Sequence, residues 1–354
     1  MGYDIVIRSP NWIGDCIMAL PAIRALKDNF PQGNIHLVTK QYLYDIYENI
    51  DEIKEIITVP DKIDVRTIFK ASGKLKKYHF DWGILFTNSF SSALLFKLAG
   101  IKKLIGYTKD LRGFLLFKKI KFPQNSRHHV YFYLDLAEAF LEEKTGKKIG
   151  QQYSNELVIT NDERENVSAI LSAAGIDLSG PLVGISPSAA YGSAKEWLPE
   201  RFRELINRIK LEKPGVGILL FGSAKEKEKI SRIVEPDHIA GKNNVHNLAG
   251  QLGLREAVAA ISLCKLFVSN DSGLMHIASS LKIPLIALFG PTQPHKTAPL
   301  NANAKIFHYP VECAPCTYRE CPLDHPCMKA ITVDEVYETL VSLLPSSTSA
   351  PAKK

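Results

Sequence analysis

The sequence predicts an α/β protein built from two doubly wound domains, each a parallel sheet covered by helices on both faces. Three observations carry this. Short apolar runs of strand length alternate with amphipathic segments of helix length along the chain. The alternation stops at a polar stretch, Thr145–Ser154, and then restarts. The chain has 354 residues, 45% of them hydrophobic and 23% charged, which exceeds one ordinary core and suffices for two.

In the first series, Asp4–Arg8, Asn34–Thr39, Glu55–Val59, Trp82–Thr87 and Leu104–Tyr107 read as strands. Helices are expected at Cys16–Asn29, Leu43–Asn49, Val65–Lys77, Phe90–Gly100 and Val130–Lys144. In the second series, Leu182–Ser186, Gly217–Phe221, Leu266–Ser269 and Leu285–Phe289 are strands. Glu200–Leu211, Lys225–Val234, Leu254–Cys264 and Gly273–Lys282 are helices. The expected domains are 1–155 and 156–332 with a cleft between them, and ligands belong at the carboxyl ends of the strands. A last helix, 333–344, is expected to return to the first domain. The Ser/Pro/Ala/Lys-rich tail, 345–354, is expected to be disordered.

Net charge is +7 and unevenly placed. Residues 1–160 carry 23 Lys+Arg against 17 Asp+Glu, and residues 161–354 carry 21 against 20. Residues 97–127 hold nine basic side chains and one acid, Asp110. An anionic partner fits this segment, and so does a solvated lysine-rich face. Met1–Asp4 leads straight into an apolar strand, with no basic leader or cleavage site, and no run is long enough to span a membrane. Cytoplasmic residence with reduced thiols is therefore expected.

Neither a Gly-x-Gly-x-x-Gly turn nor a Walker A loop is present, and there is no Gly-x-Ser-x-Gly elbow. This weighs against dinucleotide dehydrogenases, P-loop enzymes and α/β-hydrolases. Five other strand-to-helix turns stand out. Pro10-Asn11-Trp12-Ile13-Gly14-Asp15 puts an acid at the start of the first helix, as a helix cap or as a general base. The loop Ser186–Trp197 offers hydroxyls at Ser186 and Ser188 and a mobile cation, Lys195, for a diphosphate. Gly222 opens a turn that brings Glu226 into a first helical turn, where an acid accepts from ribose hydroxyls or complements the helix dipole. In Ser269-Asn270-Asp271-Ser272-Gly273-Leu274-Met275-His276, Asp271 or Ser272 caps a helix whose free amides suit a pyrophosphate, with His276 one turn on. The same turn also reads as an ordinary capped helix with a core histidine. Phe289–Thr297 makes a Gly-Pro turn from which Thr292, His295 and Lys296 can reach the same edge. Cys313, Cys316, Cys321 and Cys327 fall within fifteen residues of a Pro-rich loop. They suit structural zinc or an iron–sulfur cluster, although only one pair has the C-x2-C spacing. A structural rather than catalytic loop is expected.

At these motifs the chain resembles the ADP-heptose:lipopolysaccharide heptosyltransferases of glycosyltransferase family 9. Pro10–Asp15 with Ala19-Leu20-Pro21, then Asn270–His276, then Phe289–Thr292 stand in the family's order. The likeness spans about residues 3–343 and is nearer to the second heptosyltransferase than to the first. It implies the GT-B architecture, two Rossmann-like domains facing a central cleft, and inverting, metal-independent transfer of heptose from ADP-L-glycero-D-manno-heptose to the lipopolysaccharide inner core. No cofactor is implied. By the same likeness Asp15 is the catalytic base, and Lys195, Ser272, Gly273 and His276 hold the donor phosphates. Asp271 lies near the heptose hydroxyls and Glu226 holds the ribose, with Glu228 as a fallback. Ser186-Pro187-Ser188 departs from a more Thr-rich loop in some members. Lys102, Lys103, Lys109, Arg112, Lys118, Lys119 and Lys121 would face the lipopolysaccharide core–lipid A acceptor at the inner face of the inner membrane, with no nucleic acid bound and a monomer expected. The rival readings are another sugar-nucleotide transferase or a 2-epimerase on the same fold, and a non-catalytic lipopolysaccharide- or nucleotide-binding protein.

Overall fold

The apolar runs become two six-stranded parallel sheets in the computed structural model of the chain, which describes residues 3–62, 64–124, 126–234 and 244–344. The tail expected to be disordered lies outside the described residues. The chain divides into two units, Met1–Val158 and Ile159–Lys354.

In the first unit the strands are β1 (Asp4–Arg8), β2 (Asn34–Lys40), β3 (Glu55–Val59), β4 (Trp82–Leu85), β5 (Lys103–Tyr107) and β6 (Lys118–Ile120). Their spatial order is β3-β2-β1-β4-β5-β6. The helices are α1 (Ile13–Asn29), α2 (Val65–Lys76), α3 (Phe90–Leu98) and α4 (Val130–Thr145). Ile5, Val6 and Ile7 of the central β1 are fully buried, as a strand covered on both faces requires. The helix expected at Leu43–Asn49 is instead a 3-10 turn, Gln41–Ile46, in which only Leu43 and Ile46 are buried.

The second unit contains α5 (Asn161–Ala173), β7 (Leu182–Ser186), α6 (Pro199–Glu212), β8 (Gly217–Leu220), α7 (Lys227–Ile233), β9 (Val245–Asn247), α8 (Leu254–Leu263) and β10 (Leu266–Asn270). It continues through α9 (Gly273–Ser280), β11 (Leu285–Phe289), α10 (Pro294–Thr297), β12 (Ala304–His308), α11 (Pro326–Lys329) and α12 (Val333–Leu343). The strand order is β12-β11-β10-β7-β8-β9, which repeats the doubly wound order of the first sheet. The expectation that the last helix returns to the first domain is corrected. Val336, Tyr337 and Leu340 of α12 are buried in the second unit's own core. The Tyr337 hydroxyl donates to Glu212 on α6 (2.8 Å), and the Arg208 guanidinium stacks 4.1 Å from the Tyr337 ring centroid. An amphipathic helix goes where its apolar stripe finds a groove, and that groove lies beside α6.

A second correction concerns Arg112. It is fully buried and is no part of a surface for a lipid acceptor. Its Nε donates to the Tyr107 carbonyl (2.9 Å), Nη1 to the Thr87 carbonyl (2.5 Å) and Nη2 to Asn88 Oδ1 (3.3 Å). Burial holds its guanidinium down at about 10, partly offset by Asp110. The arginine ties the chain after β5 to the loop after β4. Removing it leaves several buried acceptors unpaired, so Arg112→Ala is expected to lower unfolding stability in urea by about 2–4 kcal/mol. Lys102→Ala, on an exposed side chain, should change it by less than about 0.5 kcal/mol.

Candidate functional site

In both sheets the first and fourth strands of the unit lie side by side, β1 against β4 and β7 against β10. Successive crossovers leave in opposite directions there, opening a crevice at the carboxyl edge. All five notable turns leave carboxyl ends of these sheets.

In the first unit, Pro10–Trp12 follows β1. Helix α1 starts at Ile13 and its N-cap is Trp12, which makes no side-chain capping bond. Asp15 is therefore not the cap; it is the third residue of the first turn. Its Oδ1 accepts a 2.8 Å bond from the hydroxyl of Tyr133, a buried residue of α4. Burial, reinforced by the adjacent carboxylate, pushes the Tyr133 phenol well above its usual range, so it remains a donor and fixes the Asp15 carboxylate. Beneath the turn lies Arg8, also fully buried. Nη1 reaches the carbonyls of Ser9 and Val38 (both 3.0 Å), and Nη2 reaches Asn11 Oδ1 (3.1 Å). Desolvation holds Arg8 at about 10. Sequence reasoning missed both residues. An arginine closing the apolar strand Asp4–Arg8 is a readable signal for the second, whereas nothing local marks Tyr133, 118 residues from its partner.

In the second unit, Asn270 is the stitch across the crevice. It is fully buried at the end of β10. Its Nδ2 donates to the Pro187 carbonyl and its Oδ1 accepts from the Trp197 amide, both at 2.9 Å. Both ends of the loop after β7 are thus fixed. Lys195, on that loop, pairs with Asp271 (2.6 Å), and Asp271 also accepts from the Thr292 hydroxyl after β11 (2.8 Å). Ser272, not Asp271, caps α9, accepting from the Met275 amide at 3.5 Å. Gly273 is the first residue of α9, and His276 lies buried within it. Ser186 is buried at the end of β7, and Ser188 Oγ is buried with no hydrogen-bond partner. After β8, a Cβ at Gly222 would meet Ile230 Cδ1 at 2.5 Å. Glu226 Oε2 accepts from both the amide and the hydroxyl of Ser223 (2.7 Å each), completing a capping box.

Among the described residues no group of three or more His, Cys, Asp or Glu side chains is placed to hold an ion, so the structure lends the zinc and iron–sulfur expectation no support. Cys327 is buried on α11, and that burial, with the neighbouring Cys313 and Cys321, pushes its thiol up. Cys321 Sγ accepts the His325 amide (3.2 Å), and the Cys316 amide bonds the Pro291 carbonyl (3.0 Å). The loop works as a brace instead. The Arg319 carbonyl accepts the Ala194 amide (3.0 Å), and the Tyr191 hydroxyl donates to the Thr317 carbonyl (2.7 Å). Gly192, at φ 151°, faces the Arg319 carbonyl so closely that a Cβ would lie 2.3 Å from the oxygen. The cysteine-containing segment therefore holds the turn that carries Lys195.

The basic segment does not form one patch. Lys102 and Lys103 precede and open β5, at the amino edge of the sheet, and Lys118 opens β6 at that same edge. Lys118 is further tied to the Ala139 carbonyl and Glu143 of α4. Lys109 and Lys121 follow β5 and β6 at the carboxyl edge, the edge of Asp15, and Lys119 lies within β6.

The profile of Glycosyltransferase family 9 (heptosyltransferase) matches residues 68–326. The chain belongs to this family. It is 30% identical over 311 residues to lipopolysaccharide heptosyltransferase 2 of Salmonella typhimurium, covering 85% of this chain and 87% of that protein. It is 28% identical to lipooligosaccharide heptosyltransferase 2 of Campylobacter jejuni, covering 96% and 98%. Among solved structures, that of the Escherichia coli ADP-heptose heptosyltransferase II superposes with a TM-score of 0.81 at 27% identity, covering 96% and 98% of the two chains. The family member is thus a glycosyltransferase with the expected two-unit GT-B fold.

Asn270 gives a test of the stitch. Asn270→Ala is expected to destabilise the protein by about 2 kcal/mol, because it strands the Pro187 carbonyl and the Trp197 amide in a buried crevice. Thermal and urea unfolding measure this, and a loss below about 0.5 kcal/mol would show that these bonds do not hold the loop.

Proposed function

We propose that the chain transfers heptose from ADP-L-glycero-D-manno-heptose to the inner core of lipopolysaccharide, by a single inverting displacement that needs no catalytic metal. The observation that carries this reading is the convergence of Lys195, Asp271 and the Ser272-capped start of α9 at one sheet edge, in a family whose relatives are heptosyltransferases of the second type.

The chemistry is a direct displacement at the anomeric carbon. An acceptor hydroxyl oxygen forms the new bond as the bond to the ADP oxygen breaks, and the electron pair leaves with the diphosphate. Asp15 takes the hydroxyl proton. It sits in a helix's first turn and accepts from Tyr133, which make it a weak base. Proton transfer concerted with attack suits such a group. The departing charge falls to Lys195, His276 and the free amides of α9, with Gly273 letting the phosphates approach closely. These donors are why no metal is invoked. Asp271 reads the heptose hydroxyls once Lys195 turns to the phosphates. Ser186 and Ser188 line the phosphate loop. Glu226 receives the ribose beside Gly222, its Oε2 being engaged in the cap.

On the acceptor side, Lys109, Lys119 and Lys121 meet the phosphorylated core. Arg112 is excluded by burial, and Lys102, Lys103 and Lys118 by their place at or beside the opposite edge. Among the described residues no helix is long and apolar enough to cross a membrane. A lipid-linked acceptor then calls for peripheral attachment, which the reading places at the cytoplasmic face of the inner membrane. The protein acts as a monomer.

The test mixes purified protein, ADP-heptose and truncated core acceptors and follows acceptor mass. One added heptose is expected, with turnover that survives EDTA. Asp15→Asn should lower kcat by about 10²–10⁴-fold while donor binding persists. Tyr133→Phe should cost about tenfold in kcat at unchanged donor KM, since it loosens the base without touching the donor loop. No mass gain on any heptose-accepting core would sink the proposal, and donor turnover without acceptor would favour an epimerase.

A further inference from the structure

We propose that Leu111 and Phe114 form an apolar knob that inserts into the headgroup region of an anionic phospholipid bilayer, beside the acceptor edge of the first unit. The inference rests on the lipid-linked-acceptor reading above and names the surface that meets the lipid.

Its basis is the way the segment after β5 is pinned. Asp110 and Leu111 are both left-handed, at φ 51° and 54°. Aspartate tolerates this region, but a leucine there is an outlier that stores backbone strain. Anchors on both sides enforce it. Asp110 Oδ2 accepts the Phe90 amide at 2.6 Å, at the start of α3. Arg112, next in the chain, is fully buried in its cage of carbonyls. Between these two anchors the Leu111 side chain is driven outward and is 92% exposed. Phe114 is 73% exposed, with its ring 6.1 Å from that of Phe90. Strained backbone that holds a leucine in water gains nothing from packing that leucine within the chain, so its return lies in what it meets outside, beside the largely exposed Phe114 ring.

Place and charge identify the occupant. Leu111 follows the carboxyl end of β5, and α3, which carries Phe90, starts after the carboxyl end of β4. The knob thus stands at the edge that also carries Asp15. Lys121 follows the carboxyl end of β6, and the Lys109 ammonium lies 3.8 Å from the Phe122 ring centroid, so both cations share that edge. Phe117 is excluded. It precedes β6 and packs edge-on against Trp82, at the amino edge. Apolar side chains flanked by lysines match a bilayer whose headgroups are anionic and whose interior is apolar.

The experiment sediments the full-length protein with vesicles of phosphatidylcholine alone or of equimolar phosphatidylcholine and phosphatidylglycerol. Turnover on a deacylated, water-soluble core acceptor is measured in parallel. Wild type should bind the phosphatidylglycerol vesicles, and Leu111→Ser/Phe114→Ser should bind about tenfold more weakly with unchanged turnover on the soluble acceptor. Leu111→Gly suits the left-handed backbone, so its melting temperature should hold or rise while vesicle binding falls. Equal binding by wild type and the double variant would overturn the proposal. So would failure of wild type to bind, or self-association of wild type that the double variant abolishes without any vesicle binding. If vesicles bind as expected but no heptose is transferred, the catalytic reading fails and the membrane surface stands.

Discussion

In a parallel sheet each strand must be reached by a crossover that returns the chain to the same starting edge, so every strand-to-helix turn leaves at the other edge. Both units obey this through six strands each, and the candidate chemistry follows from it. Residues as distant in sequence as Lys195, Asp271 and Thr292 come within hydrogen-bonding reach because β7, β10 and β11 are neighbours pointing the same way. The carboxamide of Asn270 then converts that adjacency into a fixed geometry, holding the loop after β7 at two points. In the first unit, Tyr133 does the same for Asp15 across the contact of α4 with α1.

The central strands were legible in the sequence because burial on both faces demands an unbroken apolar run, as in Leu285–Phe289. The edge strands β6, β9 and β12 were not. Lys118-Lys119-Ile120 and Val245-His246-Asn247 are short and partly exposed, and an edge position asks for little apolar surface. Helix α5 was missed for a related reason. Its first half is Asn-Asp-Glu-Arg-Glu, and only Val167 and Leu171 are buried.

Turn chemistry was legible as residue types at strand ends, which brought Asp15, Lys195, Asp271 and Ser272 forward before any geometry. Partners were not. The Tyr133 and Asn270 bonds depend on tertiary adjacency that no local spacing encodes. Charge misled in one respect. A run of basic residues suggests a patch, yet two parallel strands send its members to opposite edges, and Arg112 is drawn inside by carbonyls at the end of β5 and in the loop after β4. The cysteine spacing alone says nothing of where the sulfurs point, and Cys327 is buried in the core.

The Lys195–Asp271 pair has a consequence for selectivity. Lys195 already has a carboxylate as counter-ion, in the residue just before the α9 cap, and that carboxylate is itself held by Thr292. A visiting anion must outcompete an intramolecular rival whose effective concentration no monovalent solute matches. An anion with several charges and oxygens to share between a lysine and helix amides meets that competition better than a monovalent one. The pair thus biases the resting edge against small monovalent anions.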